Sequence, residues 1–419
     1  MARGEGKHVV IVGGGAAGIT VAASLMRRAQ GAALDVTLID PSDVHYYQPA
    51  FTLVGAGACR LEQLRRREET LIPRGVEWVR ERVKGLDPEH NRVLLESGSA
   101  MAYDYLVVCP GLELNWEKIQ GAKEALGKNG VCSNYSPDHA EYTWSCVQNL
   151  KPGAKALFTQ APLPFKCPGA PQKAAYLAAH HLQKRGILKD CQLYFLTHAP
   201  VMFSVPFFSR ELDKVVARYG ILARFQHNLV ALDWQKKTAT FEVVGGEKQG
   251  QKVTLEFDML HVTPPQSPPQ AVKGSPLANA AGFVDVNQKS LQHSKYKNVF
   301  GLGDAAGTPN SKTAAAVRKQ APVVVRNLLA LARGVQLEET YDGYASCPLT
   351  TAYGKVIMAE FIYGGKVTPT LPLDPRKEYW INWWIKATAL PIFYWSYMLK
   401  GHERFLPHNT DYVEPAASL

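Results

Sequence analysis

Near its start the chain carries an unbroken apolar run, His8-Val9-Val10-Ile11-Val12, and such a run without alternation predicts a strand covered on both faces. A glycine cluster, Gly13 to Gly18, follows, and then a stretch of helical pattern to about Ala29. The same rhythm returns later. Ala154 to Thr159 reads as a strand and Gln172 to Lys184 as the helix after it. Further apolar runs at Val36–Ile39, Tyr105–Cys109 and Asn298–Gly303 predict more buried strands. Strands alternating with helices in this way give an α/β fold, built as two Rossmann-like nucleotide-binding units. Residues 379–399 break the pattern with Trp380, Trp383, Trp384, Trp395 and their tyrosine neighbours. They predict two short amphipathic helices parted near Pro391.

Gly13, Gly15 and Gly18 fill the G-x-G-x-x-G pattern between strand and helix. The first makes the tight turn, the second admits a pyrophosphate, and the third lets helix and strand approach. Ala16 and Ala17 then open a helix whose N-terminal amides face the phosphates. Asp40 ends the second strand, placed to accept ribose hydroxyls. That fingerprint serves NAD or FAD equally. Asn298 to Asp304 followed by Ser311 to Val317 resembles the second FAD signature of flavoproteins with two dinucleotide-binding domains. The resemblance implies that Asp304 holds the ribityl chain and that Lys312, Thr313 and Ala314 lead a helix toward the isoalloxazine ring. Gln48, Val83 and Lys173 are expected along the same cofactor. Tyr105 to Gly111 looks like the crossover strand of that group, with Cys109-Pro110-Gly111 as a departure. FAD is thus the expected cofactor, and no metal is expected. The expected domains are 1–117 and 268–335 for FAD, 118–267 for a degenerate second nucleotide domain, and 336–419 for a C-terminal membrane-associating region.

Degeneracy is read from the turn after the 154–159 strand. Pro162 to Pro171 holds one glycine, four prolines and Cys167, so a second pyrophosphate would bind poorly there while a positioned sulfur could react. Seven cysteines without a CxxC pair do not make a secreted disulfide framework. Cys59, Cys109, Cys132, Cys146 and Cys191 read as incidental thiols. Cys347, like Cys167, precedes a proline in a segment of turn-forming residues. Spacing alone leaves their pairing open.

Gly13 to Gly18, His45 to Pro49, Phe51 to Gly57, Lys166 to Lys173, His261 to Pro265, Ser311 to Thr313 and Tyr341 to Leu349 together resemble sulfide:quinone oxidoreductase of the mitochondrial type. The likeness runs from about residue 8 to 400. It departs at Arg318 to Pro322, which is more basic than expected. The resemblance implies a Cys167/Cys347 disulfide beside the flavin that hydrogen sulfide opens. Cys347 then carries a persulfide, and Cys167 is the thiolate that passes electrons to the flavin. It further implies ubiquinone as electron acceptor and glutathione or sulfite as sulfur acceptor, and leaves a homodimer open. Lys166 and Lys173 flank the site, each serving either the thiolate or plain solubility.

The net charge of +10 is expected to meet an anionic membrane surface, since no nucleic-acid module is present. Phe361, Tyr363, Lys386, Phe393 and Tyr394 are the residues expected to line a quinone slot. The implied place is the matrix face of the mitochondrial inner membrane, with the cytoplasmic face of a bacterial plasma membrane as the alternative. Only Met1 to Lys7 precede the first strand, so a transit peptide is expected to be absent or removed. Two rival readings stand beside this one. A type II NADH:quinone oxidoreductase needs a second glycine fingerprint, and a flavin redox sensor would turn over little.

Overall fold

The computed structural model describes residues 6–29, 34–403 and 407–413, so Met1 to Glu5 and the end of the C-terminal region lie outside the description. Two parallel five-stranded sheets organise the chain. The first runs, in spatial order, Val299–Gly301, Tyr105–Val108, Lys7–Val12, Leu34–Ile39 and Val76–Val79. Its central strand is fully paired, Val9 to Val12 meeting Val36 to Ile39 on one side and Tyr105 to Val108 on the other. Val9, Val10 and Ile11 are wholly buried, as the unbroken apolar run required. One edge strand comes from beyond residue 298, so the chain leaves this sheet and returns to it.

Between departure and return it builds the second sheet, in the order Val131–Cys132, Met259–His261, Lys155–Gln160, Gln192–Thr197, Leu222–Arg224. The fold class is therefore α/β with two nucleotide-type units. The helix after Lys155–Gln160 spans Ala170–Lys184, two residues longer at its start than expected, because Pro171 is accommodated in its first turn.

Two expectations fail on proline. Cys347 lies inside a strand, Ala345–Ala352, and not in a turn. That strand pairs only with Lys355–Phe361, so Pro348 can face the side without a partner. The segment after residue 379 is one continuous helix, not two parted at Pro391. Trp380–Trp384 passes through a π turn, Ile385–Ala389, into Leu390–Ser396, with helical torsions at each junction. The π turn widens the ladder just ahead of Pro391, where its missing amide and its ring would otherwise break the run.

This helix is inside out. Asn382, Lys386 and Tyr394 are buried, while Trp380, Ile381, Trp384 and Ile392 are exposed. Each inward polar group has a named partner. Asn382 Nδ2 donates to the Val356 carbonyl at 3.3 Å, Lys386 Nζ to the Pro49 carbonyl at 3.2 Å, and the Tyr394 hydroxyl lies 2.5 Å from His45 Nε2. Among the described residues no helix is long and apolar enough to cross a membrane.

Candidate active site: a thiol pair at the flavin cradle

The first glycine turn is built for a phosphate. Gly13 has φ +107°, and a Cβ there would come within 2.5 Å of the Cys109 carbonyl. A Cβ on Gly18 would lie 1.8 Å from the Gly13 carbonyl, so only glycine lets helix and strand close up. At Gly15 nothing lies within 4 Å, which is room for a ligand. The helix Ala16–Arg28 begins there with no side-chain cap and no acid in its first turn. Its first amides, Ala16 and Ala17 among them, face that open space. Asp40 accepts from the Gly14 amide at 2.6 Å and the Ser42 amide at 2.8 Å, fixing its carboxylate at the mouth of the turn.

The second half of the cradle comes from Gly303–Ala305 and the helix Ala314–Ala332. Thr313 caps that helix by accepting from the Ala316 amide at 3.2 Å. Asp304 stands part-exposed at its approach. Burial pushes its carboxyl up, and Lys312 and Lys166 oppose that. Lys312 is buried and pushed down to about 8, by burial first. Lys166 Nζ donates to Gln48 Oε1 at 2.8 Å, which carries Gln48 toward the same cleft. Val83 begins a separate antiparallel sheet, Val83–Asp87. An open glycine turn, an uncapped helix start and an acid at each end fit FAD, whose pyrophosphate, adenosine ribose and ribityl chain need those groups.

Cys167 and Cys347 meet although 180 positions separate them. Their sulfurs lie 3.8 Å apart, as two thiols. Thus the disulfide expected from the resemblance is an open pair here, whose sulfurs must close to about 2.05 Å to bond. Cys167 is pinned in the left-handed region, φ +50°, an arrangement that persists only where neighbours enforce it. Its amide donates to the Lys312 carbonyl at 2.7 Å, and its own carbonyl accepts from the Ala170 amide at 2.8 Å. The thiol turn is thereby stitched to the second FAD segment. Gly169, the single glycine in the turn, makes the space for the other sulfur: a Cβ there would fall 2.6 Å from Cys347 Sγ.

Lysines complete the pair. Lys173 is not a solubilising charge; it is buried, and its Nζ donates to Cys167 Sγ at 3.3 Å. Burial works against its charge, but Cys167 and Cys347 outweigh that and hold its ammonium above the usual range. The hydrogen bond with Cys347, then the Lys173 and Lys386 charges, hold the Cys167 thiol well below the usual range against burial. Cys347 is driven the opposite way by the same hydrogen bond and by burial. One sulfur is poised as thiolate and its neighbour keeps the proton. Lys386 reaches the pair from the C-terminal helix, pushed down to about 7 by burial first and by Lys173 next.

The aromatic residues expected around a quinone have separate neighbours. Phe361 packs on Phe203 and Phe208, Tyr363 donates to the Gln288 carbonyl at 2.9 Å, Phe393 stacks on Tyr397, and Tyr394 meets His45. Sequence reading missed Glu68 and assigned no role to His45, although His45 Nδ1 lies 3.2 Å from Glu68 Oε2 with both side chains buried.

Comparison with known proteins places these features. Residues 7–141 match the family described as Pyridine nucleotide-disulphide oxidoreductase. The mitochondrial sulfide:quinone oxidoreductase of Dictyostelium discoideum is 45% identical, with 96% of this chain and 87% of that protein covered. The one of Mus musculus is 40% identical over 94% and 87%. The X-ray structure of sulfide:quinone oxidoreductase from Aquifex aeolicus superposes with a TM-score of 0.76 at 24% identity, covering 95% and 92% of the two chains. That last likeness concerns the fold.

Proposed function

Because the chain belongs to the sulfide:quinone oxidoreductase family, we propose that it oxidises hydrogen sulfide at Cys167 and Cys347 and passes the electrons through FAD to a quinone. The observation that carries this reading is the 3.8 Å approach of two sulfurs, one of them bonded to a buried ammonium. It is an FAD-dependent oxidoreductase, and the mitochondrion, named for its relatives, is its place.

With the pair oxidised, HS⁻ attacks the Cys347 sulfur. A sulfur–sulfur bond forms to sulfide, the Cys167–Cys347 bond breaks, and the electron pair leaves on Cys167. Cys347 is left as a persulfide. Lys173 stabilises the Cys167 thiolate through its charge and its hydrogen bond. The left-handed turn and the Lys312 carbonyl fix that thiolate beside the cradle. Bound FAD supplies the two-electron acceptor between thiolate and quinone. A small thiolate or sulfite then takes the outer sulfur from Cys347 and leaves it as a thiolate, and closing the Cys167–Cys347 bond again releases the two electrons that FAD would accept. Lys386, neutral above about pH 7, is suited to exchange a proton on the quinone side.

The exposed Trp380, Trp384 and Ile392 form an apolar face on the helix that carries Lys386. This supports docking on an anionic membrane, where such side chains sit at headgroup level. Replacing all three by Gln in the full chain is expected to abolish flotation with anionic vesicles, and undiminished flotation would remove the face from that role. For the chemistry, Cys347→Ser is mixed anaerobically with sulfide. Flavin bleaching is expected to slow by about 10³-fold or more, and bleaching at the native rate ends the proposal.

A further inference from the structure

A chain of buried polar groups runs from the C-terminal helix to the first glycine turn. The Tyr394 hydroxyl lies 2.5 Å from His45 Nε2, and His45 Nδ1 lies 3.2 Å from Glu68 Oε2. Tyr394, His45 and Glu68 are 3%, 5% and 1% exposed, so water does not compete for these bonds. A proton on Nδ1 donated to Glu68 leaves Nε2 to accept from the tyrosine, and all three then have consistent roles. Glu68 continues to the cradle itself. Its amide donates to the Asp43 carbonyl at 2.9 Å, and its other oxygen, Oε1, has no protein partner. That oxygen would lie 2.8 Å from a Cβ on Gly14, beside the Asp40 side chain at the same distance. Gly14 thus presents its backbone to both acids, and it is the residue whose amide holds Asp40.

The other contacts of this region reinforce the link. Tyr47 packs on Tyr394 with ring centroids 4.9 Å apart, His45 lies edge-on to Trp395 at 5.7 Å, and Arg66 covers the Trp395 ring at 5.0 Å. Two residues of one helix segment, Tyr394 and Trp395, therefore rest on 45–47 and 66–68, the segments that frame Asp40. Burial of a carboxylate, a histidine and a tyrosine is costly unless each is paired. Breaking one joint leaves the remaining groups unpaired, so the chain acts as a unit.

We propose that Tyr394, His45 and Glu68 are positioning residues that couple the seating of the C-terminal helix to the flavin cradle, so that flavin retention and helix order rise and fall together. The coupling needs FAD at Gly13 to Gly18 and Asp40, and none of the thiol chemistry, so it stands or falls apart from sulfide oxidation. Where the apolar face of that helix rests on lipid, the same linkage makes the membrane a partner in holding the cofactor.

The experiment uses the holoenzyme and two distant readouts: FAD release, followed by flavin fluorescence after dilution, and hydrogen exchange of the 390–399 peptide. Tyr394→Phe, which loses one oxygen and keeps its packed ring, is expected to release FAD roughly tenfold faster, the equivalent of one buried hydrogen bond. Glu68→Gln, whose hydrogen-bonded link to the helix runs through His45, is expected to raise exchange at 390–399. The double variant is expected to release FAD no faster than the faster single one. Native FAD release in Tyr394→Phe, native exchange in Glu68→Gln, or effects that multiply would each overturn the coupling. If Glu68→Gln does not fold, Tyr394→Phe alone decides.

Discussion

The chain uses one plan twice and fills it in opposite ways. In each unit a buried strand runs into a turn, and the helix that follows starts at a glycine without a side-chain cap, Gly15 in one and Gly169 in the other. Both turns therefore aim the positive end of a helix at whatever sits before them, although in the second the Ala170 amide is bonded to the Cys167 carbonyl and Pro171 has no amide hydrogen. At Gly15 that place is open space, suited to a cofactor phosphate. At Gly169 it is occupied by the Cys347 sulfur, and the anion is the neighbouring Cys167 thiolate, which Lys173 meets from within the helix. An anion-binding turn becomes a reactive-thiol turn when its lining changes from glycine to cysteine and lysine while its backbone plan stays.

The sharpest way to break this comparison is the same substitution in both turns. Gly18→Ala drives a methyl to 1.8 Å from the Gly13 carbonyl, and the cradle cannot close. The protein is expected to purify without yellow colour and without any quinone reduction. Gly169→Ala meets a side-chain sulfur at 2.6 Å, which can shift. That variant is expected to keep its flavin, while sulfide-dependent bleaching falls about 100-fold, the usual cost of a reacting atom displaced by an ångström. Loss of flavin in Gly169→Ala, or retained flavin in Gly18→Ala, would erase the distinction between the turns.

Much of this was legible along the chain. The glycine fingerprint, the strands of the split first sheet and the thiol-bearing turn at Cys167 follow from local patterns, because strand, turn and helix are set by neighbours within a few residues. What sequence reading lost was set by distant partners. Lys173 carries no local mark of burial; its partner is a thiolate in the preceding turn, and only packing shows that water is excluded. Cys347-Pro348 was read as a turn because proline breaks most strands, yet a two-stranded hairpin leaves a side free. Residues 379–399 read as two amphipathic helices, but that their polar side points inward depends on partners more than three hundred positions back. Glu68 follows three arginines and resembles any surface acid until His45 is placed over it.

The next effect in size falls on the thiolate. Lys173→Gln keeps the side-chain length and removes the charge that helps hold Cys167 below its usual range. A thiolate raised by one to two pH units is populated about ten- to a hundredfold less near neutrality. Iodoacetamide trapping of the reduced enzyme at pH 6.5 is expected to slow in that proportion at Cys167 and to leave Cys347, already buried and protonated, unlabelled in both proteins. Equal labelling of the two sulfurs in the native enzyme would show that the lysine does not set them apart. The glycine turn has no lysine in this role, so the same experiment shows how far the second turn depends on a side-chain charge.

Lys386 gives the smallest effect and the finest test, because it is the lysine of the site that burial and Lys173 discharge. Its folded value, about 7, lies below that of a free lysine, so between pH 7 and about 10 the unfolded chain binds a proton that the folded chain does not. Stability contributed at this position therefore rises as pH rises through that window, and is lowest below pH 7, where the buried amine must either charge or oppose folding. Lys386→Met removes the titration and fills nearly the same volume. Relative to it, the native protein is expected to gain about 1 kcal/mol per pH unit between pH 7.5 and 9.5 in denaturant melts. Quinone reduction is expected to lose the limb of its pH profile near 7 in the variant, with bound flavin unchanged. A flat difference in stability across that range would mean that Lys386 stays charged beside Lys173 throughout it.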